Sequence, residues 1–225
     1  MSRRELLAAE VSDYLNELVP ERPAEMQQME AYAAEHDFPI IGPAAGYFCY
    51  QVARLCGARR VFELGSGYGY STAWFARAVQ ENGGGVVHHV VWDEALSQRA
   101  RGHLDKLGLG ALVTYTVAEA VQTLRESEGP FDLIFIDINK DSYPEAVDVA
   151  EEKLSPGGVV IIDNVLWGGR IFDETDRSEA TEAIRAVTMR LTRGPKWIST
   201  LAPIRDGLLV GYRRRDADTS WGTEA

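Results

Sequence analysis

The sequence predicts an α/β fold: a doubly wound, mostly parallel sheet that is preceded by helices and completed by one antiparallel strand. Two observations lead to this class. From Arg60 onward, short apolar runs alternate with segments of helical periodicity, which is typical of parallel βαβ units. Near the C-terminus, two apolar runs flank a turn that contains Asp206 and Gly207, which predicts a hairpin and therefore an antiparallel final strand.

The first 43 residues precede this alternation and are predicted to form a helical cap. Apolar residues recur at helical spacing up to Pro20, and a second helix is predicted to run towards His36. Two prolines and a glycine at 37–43 interrupt it, and a third helix is expected from about Ala44 to Leu55. With 225 residues, the chain suffices for one domain with a full core. The predicted limits are 1–215 for a single domain, in which residues 1–43 form a helical cap or lid, and 216–225 for a frayed tail.

The alternating region supplies five predicted strands, at 61–64, 86–91, 112–116, 133–137 and 159–163. The helices between them are predicted at 71–80, 94–107, 119–127 and 143–153. A last helix at about 178–192 precedes the two runs of the hairpin, 197–204 and 208–212. In a doubly wound sheet the fourth and fifth strands lie beside the first, so the carboxyl ends of these three strands open on one crevice.

Composition and charge exclude several classes of protein. The chain is 45% hydrophobic and 25% charged, which is ordinary for a globular protein. Its net charge of −11 opposes binding to nucleic acid through phosphate contacts and docking on an anionic membrane, so neither is an expected partner. No stretch reaches the ~20 apolar residues of a membrane helix, and acidic residues interrupt the start where a secretory signal would be apolar. Cys49 and Cys56 are seven residues apart on one predicted helix, too far for a disulfide, so we expect reduced thiols and a cytoplasmic protein.

A glycine-rich loop follows the first predicted strand, in the segment VFELGSGYGYS at 61–71. Glycines at this position let a ligand lie against bare backbone at a helix N-terminus. The pattern is E-x-G-x-G-x-G rather than the G-x-G-x-x-G of dinucleotide folds, and Glu63 precedes the first glycine by two residues. A carboxylate there suits the ammonium of S-adenosylmethionine better than the pyrophosphate of NAD, while the amides and hydroxyl near Ser71 suit its carboxylate. The alternative is a tight turn without a ligand.

Two later strands end in acids. Asp137 ends the predicted fourth strand, and Asp163 ends the fifth and is followed by Asn164. Because these strand ends are expected at one crevice, the three side chains are predicted to converge as oxygen donors. Oxygen ligands without Cys or His suit Mg²⁺, with Mn²⁺ or Ca²⁺ as alternatives, rather than zinc. The other interpretation is that both acids only cap the following helices or turns.

Three segments together resemble the cation-dependent O-methyltransferases, the family of catechol and caffeoyl-CoA O-methyltransferases. They are FELGSGYGYSTAWFARAV, FDLIFIDINKDSY and SPGGVVIIDNVLWGGRI, and the similarity spans roughly residues 40–212. The resemblance implies a Rossmann-like methyltransferase sheet, a homodimer, and a small-molecule acceptor, an aromatic vicinal diol. It also implies roles for individual residues: Asp137, Asp163 and Asn164 as metal ligands, Lys140 as catalytic lysine, Tyr143 beside the site, and Glu63, Gly65, Gly67, Ser71 and Asp137 as cofactor contacts.

The chain departs from the family pattern at two positions. The family usually has an acid at the end of the second strand to hold the cofactor ribose, whereas Val91 stands at the aligned position here. Asp93, two residues further on, is our candidate for this contact. The alternatives are a weaker binding of the ribose and, more remotely, a contact from His89. Asn139 replaces an aspartate that many relatives have, so one negative charge beside the metal is missing. Glu119, followed by an alanine, resembles the acidic residue near adenine and is the candidate for the adenine amine.

The sequence therefore predicts a divalent-metal-dependent O-methyltransferase that uses S-adenosylmethionine. In this interpretation the metal and Lys140 together activate a hydroxyl of the acceptor. Lys140 could instead be a surface lysine, and Trp167 either walls the acceptor pocket or is a core aromatic. The alternative functions are a metal-independent methyltransferase, a macromolecule-directed methyltransferase, and a binding module without catalysis. The net charge opposes the macromolecule-directed enzyme, and the aspartates and lysine oppose the binding module.

Overall fold

The computed structural model describes residues 9–218, and in this range the strands form one seven-stranded sheet. Its order is β3-β2-β1-β4-β5-β7-β6. The strands are β1 Arg60–Leu64, β2 Val86–Val91, β3 Val113–Val117, β4 Phe131–Ile136, β5 Leu154–Ile162, β6 Trp197–Ala202 and β7 Leu208–Arg213. Strands β1 to β5 pair in parallel, and β7 pairs antiparallel with both β5 and β6.

Helices cover both faces of this sheet. They are α1 Ala9–Glu17, α2 Ala24–Glu35, α3 Gly42–Leu55, α4 Tyr70–Glu81, α5 Glu94–Lys106, α6 Ala120–Glu126, α7 Tyr143–Lys153 and α8 Glu179–Arg193. Among the described residues, no helix has the length and apolar character to cross a membrane.

The central strands are buried on both faces, as expected for a parallel sheet between two helical layers. In β4, Leu133 and Phe135 pack into an apolar cluster with α2, α3 and α4. The alternate residues Ile134 and Ile136 pack into a second cluster with α6, α7 and α8. The side chain of Met29 in α2 is fully buried in the first cluster, so the N-terminal helices pack directly on the core.

The predicted fold class is confirmed, with shifts at the ends of elements. Asp137 and Asp163 each lie one residue beyond their strand, and the strands begin earlier than predicted, β4 at Phe131 and β5 at Leu154. The antiparallel strand β7 is not at the edge of the sheet, because β6 adds on its far side. The predicted first helix before Ala9, and the part of the predicted tail after residue 218, lie outside the described residues.

The strand order determines where the chemistry can lie. Strands β1, β4 and β5 are adjacent. From β1 the chain first adds β2 and β3 on one side and then crosses to add β4 and β5 on the other, so the strand order reverses between β1 and β4. Ligands of such sheets bind outside the carboxyl ends of the strands at this switch point. The glycine loop after β1, Asp137 after β4 and Asp163 after β5 all lie at this edge.

Candidate active site

The glycine loop between β1 and α4 lies directly against the end of β4. The N–H of Asp137 donates to the carbonyl of Leu64 at 2.9 Å, which continues the β1–β4 ladder by one residue. Gly65 has a φ of +89°, and a Cβ atom there would lie 2.0 Å from the carbonyl oxygen of Asp137. Only glycine fits this position, so the loop and the end of β4 are held in contact.

A small cavity of about 30 Å³ lies between this loop and the segment 38–41. Four residues predicted to contact the cofactor line it together, namely Gly65, Gly67, Ser71 and Asp137. Phe38 covers the loop from the other side, since its ring packs edge-on against Tyr68 with the centroids 4.8 Å apart. The fold therefore gathers these predicted contacts at the N-terminus of α4.

Glu63 is a fully buried carboxyl group between the apolar residues Phe62 and Leu64 of β1. Burial raises its pKa to about 7, and the nearby hydroxyls of Ser71, Thr72 and Ser66 lower the pKa only in part. Neither carboxylate oxygen has a hydrogen-bond partner among the described residues. An unpartnered buried carboxylate is costly unless a ligand supplies donors, and the ammonium group expected from the sequence is such a donor.

Asp137 and Asp163 follow the ends of the adjacent strands β4 and β5, close enough for the charge of one to affect the other. Asp163 is 2% exposed, and its N–H donates to the carbonyl of Ile136 at 3.0 Å. Burial, together with the nearby charge of Asp137, raises the pKa of Asp163 to about 7, although the Arg205 guanidinium acts in the opposite direction. The N–H of Asn164 donates to Asp163 Oδ1 at 2.7 Å, and Asn164 has a φ of +59°.

Lys140 joins this group from the short 3₁₀ turn that follows Asp137. Its Nζ donates to Asp137 Oδ1 at 3.0 Å, to the carbonyl of Ile138 at 3.0 Å and to the Tyr143 hydroxyl at 2.7 Å. The Tyr143 hydroxyl in turn donates to the carbonyl of Asp163 at 2.8 Å. The side chain of Lys140 is 9% exposed, so it is not a surface lysine.

The donors Asp137, Asp163 and Asn164 fit a hard divalent cation, because they offer two carboxylates and one amide oxygen without sulfur or imidazole. Within residues 9–218 there is no group of three or more His, Cys, Asp or Glu side chains arranged to hold a metal ion. The predicted set does not depend on such a group, since its third member is an asparagine.

Two residues predicted to contact the cofactor, Asp93 and Glu119, do not line the small cavity and instead cap helices. Asp93 Oδ1 accepts hydrogen bonds from the N–H groups of Ala95 and Leu96 at the start of α5. The Glu119 carboxylate likewise accepts hydrogen bonds from the N–H groups of Val121 and Gln122 at the start of α6. Their contacts with ribose and adenine stay predictions.

His89, the remote alternative for the ribose, is enclosed in the protein. Its Nδ1 is 3.0 Å from Thr72 Oγ1, and burial lowers its pKa to about 3. The neutral ring packs near Tyr115 with the centroids 5.3 Å apart. We therefore assign His89 to the packing beneath α4.

A second, larger cavity of about 980 Å³ opens beside the site. The segment 37–43 forms one wall, Gly168 after Trp167 contributes to another, and Arg205 and Asp206 from the β6–β7 turn lie between them. Trp167 packs against the second core cluster, and the centre of its ring lies 6.0 Å from Lys140 Nζ. Trp167 does not itself line the larger cavity, so its contact with the acceptor stays a prediction.

A family model described as O-methyltransferase matches residues 9–214 of the chain. The chain belongs to the O-methyltransferase family. A catechol O-methyltransferase from Niastella koreensis is 32% identical over 181 residues, which cover 78% of this chain and 81% of that protein. A catechol O-methyltransferase from Mycobacterium tuberculosis is 34% identical over 158 residues, which cover 70% of this chain and 71% of that protein.

The fold of this chain is similar to that of solved O-methyltransferase structures. One from Streptomyces achromogenes, involved in tomaymycin synthesis and in complex with SAM, has a TM-score of 0.79 at 27% identity and covers 92% of this chain and 96% of that one. One from Bacillus cereus, in complex with SAH, has a TM-score of 0.81 at 26% identity and covers 91% of this chain and 97% of that one. The predicted family and enzyme class are thereby confirmed.

Two residues of the site, Arg205 and Asp206, were not singled out by the sequence analysis except as a hairpin turn. Their signal was the Asp-Gly pair, which indicated a turn but not what the turn contacts. The packing of the segment 38–41 over the glycine loop was not predicted from the sequence.

Proposed function

We propose that this enzyme transfers the methyl group of S-adenosylmethionine to one hydroxyl of a small aromatic vicinal diol. The reaction would require a bound divalent cation, for which Mg²⁺ is the first candidate. The observation on which this rests is the grouping of Asp137, Asp163 and Asn164 with Lys140, next to the glycine-loop cavity. The names of the catechol O-methyltransferases and the SAM-bound and SAH-bound structures among the relatives support the choice of acceptor and donor.

The chemistry is a displacement in which the acceptor oxygen bonds to the methyl carbon while the bond from that carbon to the sulfonium sulfur breaks. A free phenol, with a pKa of ~10, is mostly protonated at pH 7 and is a poor nucleophile. A divalent cation at this site would supply a positive charge that lowers the pKa of the reacting hydroxyl of the acceptor. Asp137, Asp163 and Asn164 would hold this cation, and Lys140 would accept the proton.

The other residues of the site bind and orient. Glu63 would receive the ammonium group of the cofactor, whose charge matches a buried carboxylate without a partner. Gly65, Gly67 and Ser71 would hold the methionine part of the cofactor against the start of α4. Asp93 would bind the ribose, and Glu119 would bind the adenine amine. The 37–43 segment and the loop after Trp167 would enclose the acceptor in the larger cavity. Orientation by these walls contributes to the rate by presenting one oxygen to the methyl group.

The decisive experiment measures turnover of catechols with and without metal. We expect chelator to abolish turnover, and Mg²⁺ or Mn²⁺ to restore it better than Zn²⁺ does. Asp163→Ala should lose activity yet keep cofactor affinity in calorimetry, because a different part of the crevice holds the cofactor. The control is Asp132→Ala, which removes a carboxylate that binds the Arg59 and Arg60 N–H groups at the opposite edge of the sheet. Full activity in excess chelator would reject the metal and favour a metal-independent methyltransferase.

We further propose that the enzyme acts in the cytoplasm and as a homodimer. The cytoplasmic assignment is supported by Cys49 and Cys56, which are both free thiols. The homodimer is supported by the family resemblance of the sequence.

A further inference from the structure

The loop after β5 is fastened to the turn between β6 and β7. Asp206 Oδ1 accepts a hydrogen bond from the N–H of Gly168 at 2.6 Å, and its carbonyl oxygen accepts one from the N–H of Leu166 at 2.8 Å. The carbonyl of Gly207 accepts a third from the N–H of Val165 at 3.2 Å. The contact is close, because a Cβ atom on Gly207 would lie 2.6 Å from Leu166 Cγ.

This loop adopts a backbone shape that needs support from outside. Asn164 and Trp167 have φ values of +59° and +51°, a region that residues with a side chain seldom occupy, and Gly168 and Gly169 follow at +59° and +81°. Such conformations persist when the surrounding contacts specify them. The three hydrogen bonds that the turn accepts are contacts of that kind, and the one that Asp206 accepts with its side chain can be removed by substitution.

The same turn also contacts the 37–43 segment of the larger cavity. The Arg205 guanidinium donates to the carbonyl of Ile40, and its side chain lies 3.5 Å from the Cβ position of Gly42. Ile40 and Gly42 contribute one wall of the cavity, and Gly168 contributes to another. One turn is therefore bonded to both walls.

We propose that the turn 205–207 sets the spacing of these walls, with Asp206 as the positioning residue for the Trp167 loop, and thereby selects which of two vicinal hydroxyls is methylated. A substituted catechol can present either hydroxyl to the methyl donor, and the two poses differ in where the ring substituent lies. The wall that contacts the substituent decides between them. The choice of acceptor rests on the proposed function, whereas the support of the loop by Asp206 does not.

The first test is independent of activity. Asp206→Ala removes the acceptor of the Gly168 N–H, while Asp206→Asn keeps an oxygen at that position. In the ligand-free protein we expect hydrogen exchange across 164–172 to be about tenfold faster in the alanine variant and close to wild type in the asparagine variant. Asp132→Ala, which removes a carboxylate bonded to backbone N–H groups at the other edge of the sheet, should leave this exchange unchanged.

The second test measures the ratio of the two monomethylated products of a catechol that has one ring substituent. We expect Asp206→Ala to change this ratio at least about threefold and to raise KM more than it lowers kcat, with recovery in Asp206→Asn. General destabilisation would lower activity without changing the ratio. Wild-type exchange across 164–172 and a wild-type product ratio in the alanine variant would overturn the proposal.

Two further outcomes separate the hypotheses. If the wild-type enzyme methylates no catechol in the presence of Mg²⁺, the proposed function is wrong, and the exchange experiment still decides the role of Asp206. If the alanine variant does not fold, the role of Asp206 is decided by the hydrogen-exchange rate of the Gly168 amide in the wild-type protein. Protection of that amide supports the hydrogen bond to Asp206, and exchange at the rate of an open amide overturns it.

Discussion

Lys140 has all three of its N–H donors engaged, which fixes the position of its nitrogen beside Asp137. The ammonium is stabilised there by one carboxylate, one carbonyl and one hydroxyl. A lysine accepts a proton only as the neutral amine, and these contacts hold the nitrogen of Lys140 beside the predicted metal ligand Asp137. The geometry thus supports a lysine in a fixed position next to the site proposed for the acceptor hydroxyl.

This fixed position gives a prediction for Lys140→Ala. We expect the variant to bind cofactor and metal normally and to turn over ~10²–10⁴-fold more slowly, because no group takes the proton of the acceptor. Raising the pH should restore part of the rate, since the acceptor then ionises without a base. Steady-state rates from pH 6 to 10 measure this, with Lys153→Ala as the control, because Lys153 bonds to the Ser127 carbonyl far from the site. A normal rate at pH 7 would limit Lys140 to a structural role.

Glu63 is the residue for which burial has the clearest thermodynamic consequence. Its folded pKa of about 7 exceeds its ordinary value of 4.5. The folded state therefore holds the proton more tightly than the unfolded state, and this contribution is fully present below pH 4.5 and is lost as pH rises through 7. His89 has the opposite effect on stability, since burial lowers its pKa from 6.5 to about 3. Its contribution to the free energy of unfolding is present above pH 6.5 and is lost as the pH falls from 6.5 towards 3.

A comparison with Glu63→Gln isolates the carboxyl group, because His89 is present in both proteins. In the ligand-free state, we expect the free energy of unfolding of the wild type relative to the variant to fall by about 2–3 kcal/mol between pH 5 and 8. Urea titrations at both pH values measure it. Cofactor affinity should rise over the same range in the wild type and change little in the variant, since the ammonium favours the ionised carboxylate. Parallel stability curves would contradict the burial of an unpartnered acid.

At the scale of elements, the parts that the sequence predicted are those determined by local patterns. The apolar runs of β1, β4 and β5 specify buried parallel strands, and an acid at the end of a strand is visible without any knowledge of its neighbours. The resemblance then related Asp137, Asp163 and Lys140 to one another, and the structure places Lys140 Nζ 3.0 Å from Asp137 Oδ1.

The parts that were missed depend on contacts between distant segments. The turn at 205–207 bonds to Ile40 and to Gly168, which are separated from it by about 165 and 38 residues. A single sequence shows the turn and not its partners. The edges of strands were misjudged for a related reason, because hydrogen bonding to neighbouring strands sets where β4 and β5 begin. The local signal of Asp93 and Glu119 likewise fits both a helix cap and a ligand contact.

For the whole molecule, the N-terminal helices determine how far the domain extends. Met29 of α2 shares its apolar cluster with Trp74 and Leu133. The Tyr68 hydroxyl of the glycine loop donates to the Met29 carbonyl at 2.8 Å. The Tyr70 hydroxyl at the start of α4 donates to Glu30, which is also paired with Arg22. We therefore propose that the cap and the sheet form one cooperative unit within residues 1–215, and that the cap does not move as a separate lid.

Met29→Ala tests this cooperativity. Removing a fully buried methionine should destabilise the protein by about 2–5 kcal/mol, and the whole domain should respond, because the cavity opens in the core shared by cap and sheet. We expect the urea midpoints of far-ultraviolet circular dichroism and of tryptophan fluorescence to shift together in one transition. Met189→Ala, at a methionine that is 54% exposed on α8, should leave both midpoints nearly unchanged. An early loss of helical signal, with the fluorescence transition left in place, would mean that the cap unfolds on its own and that the domain begins after it.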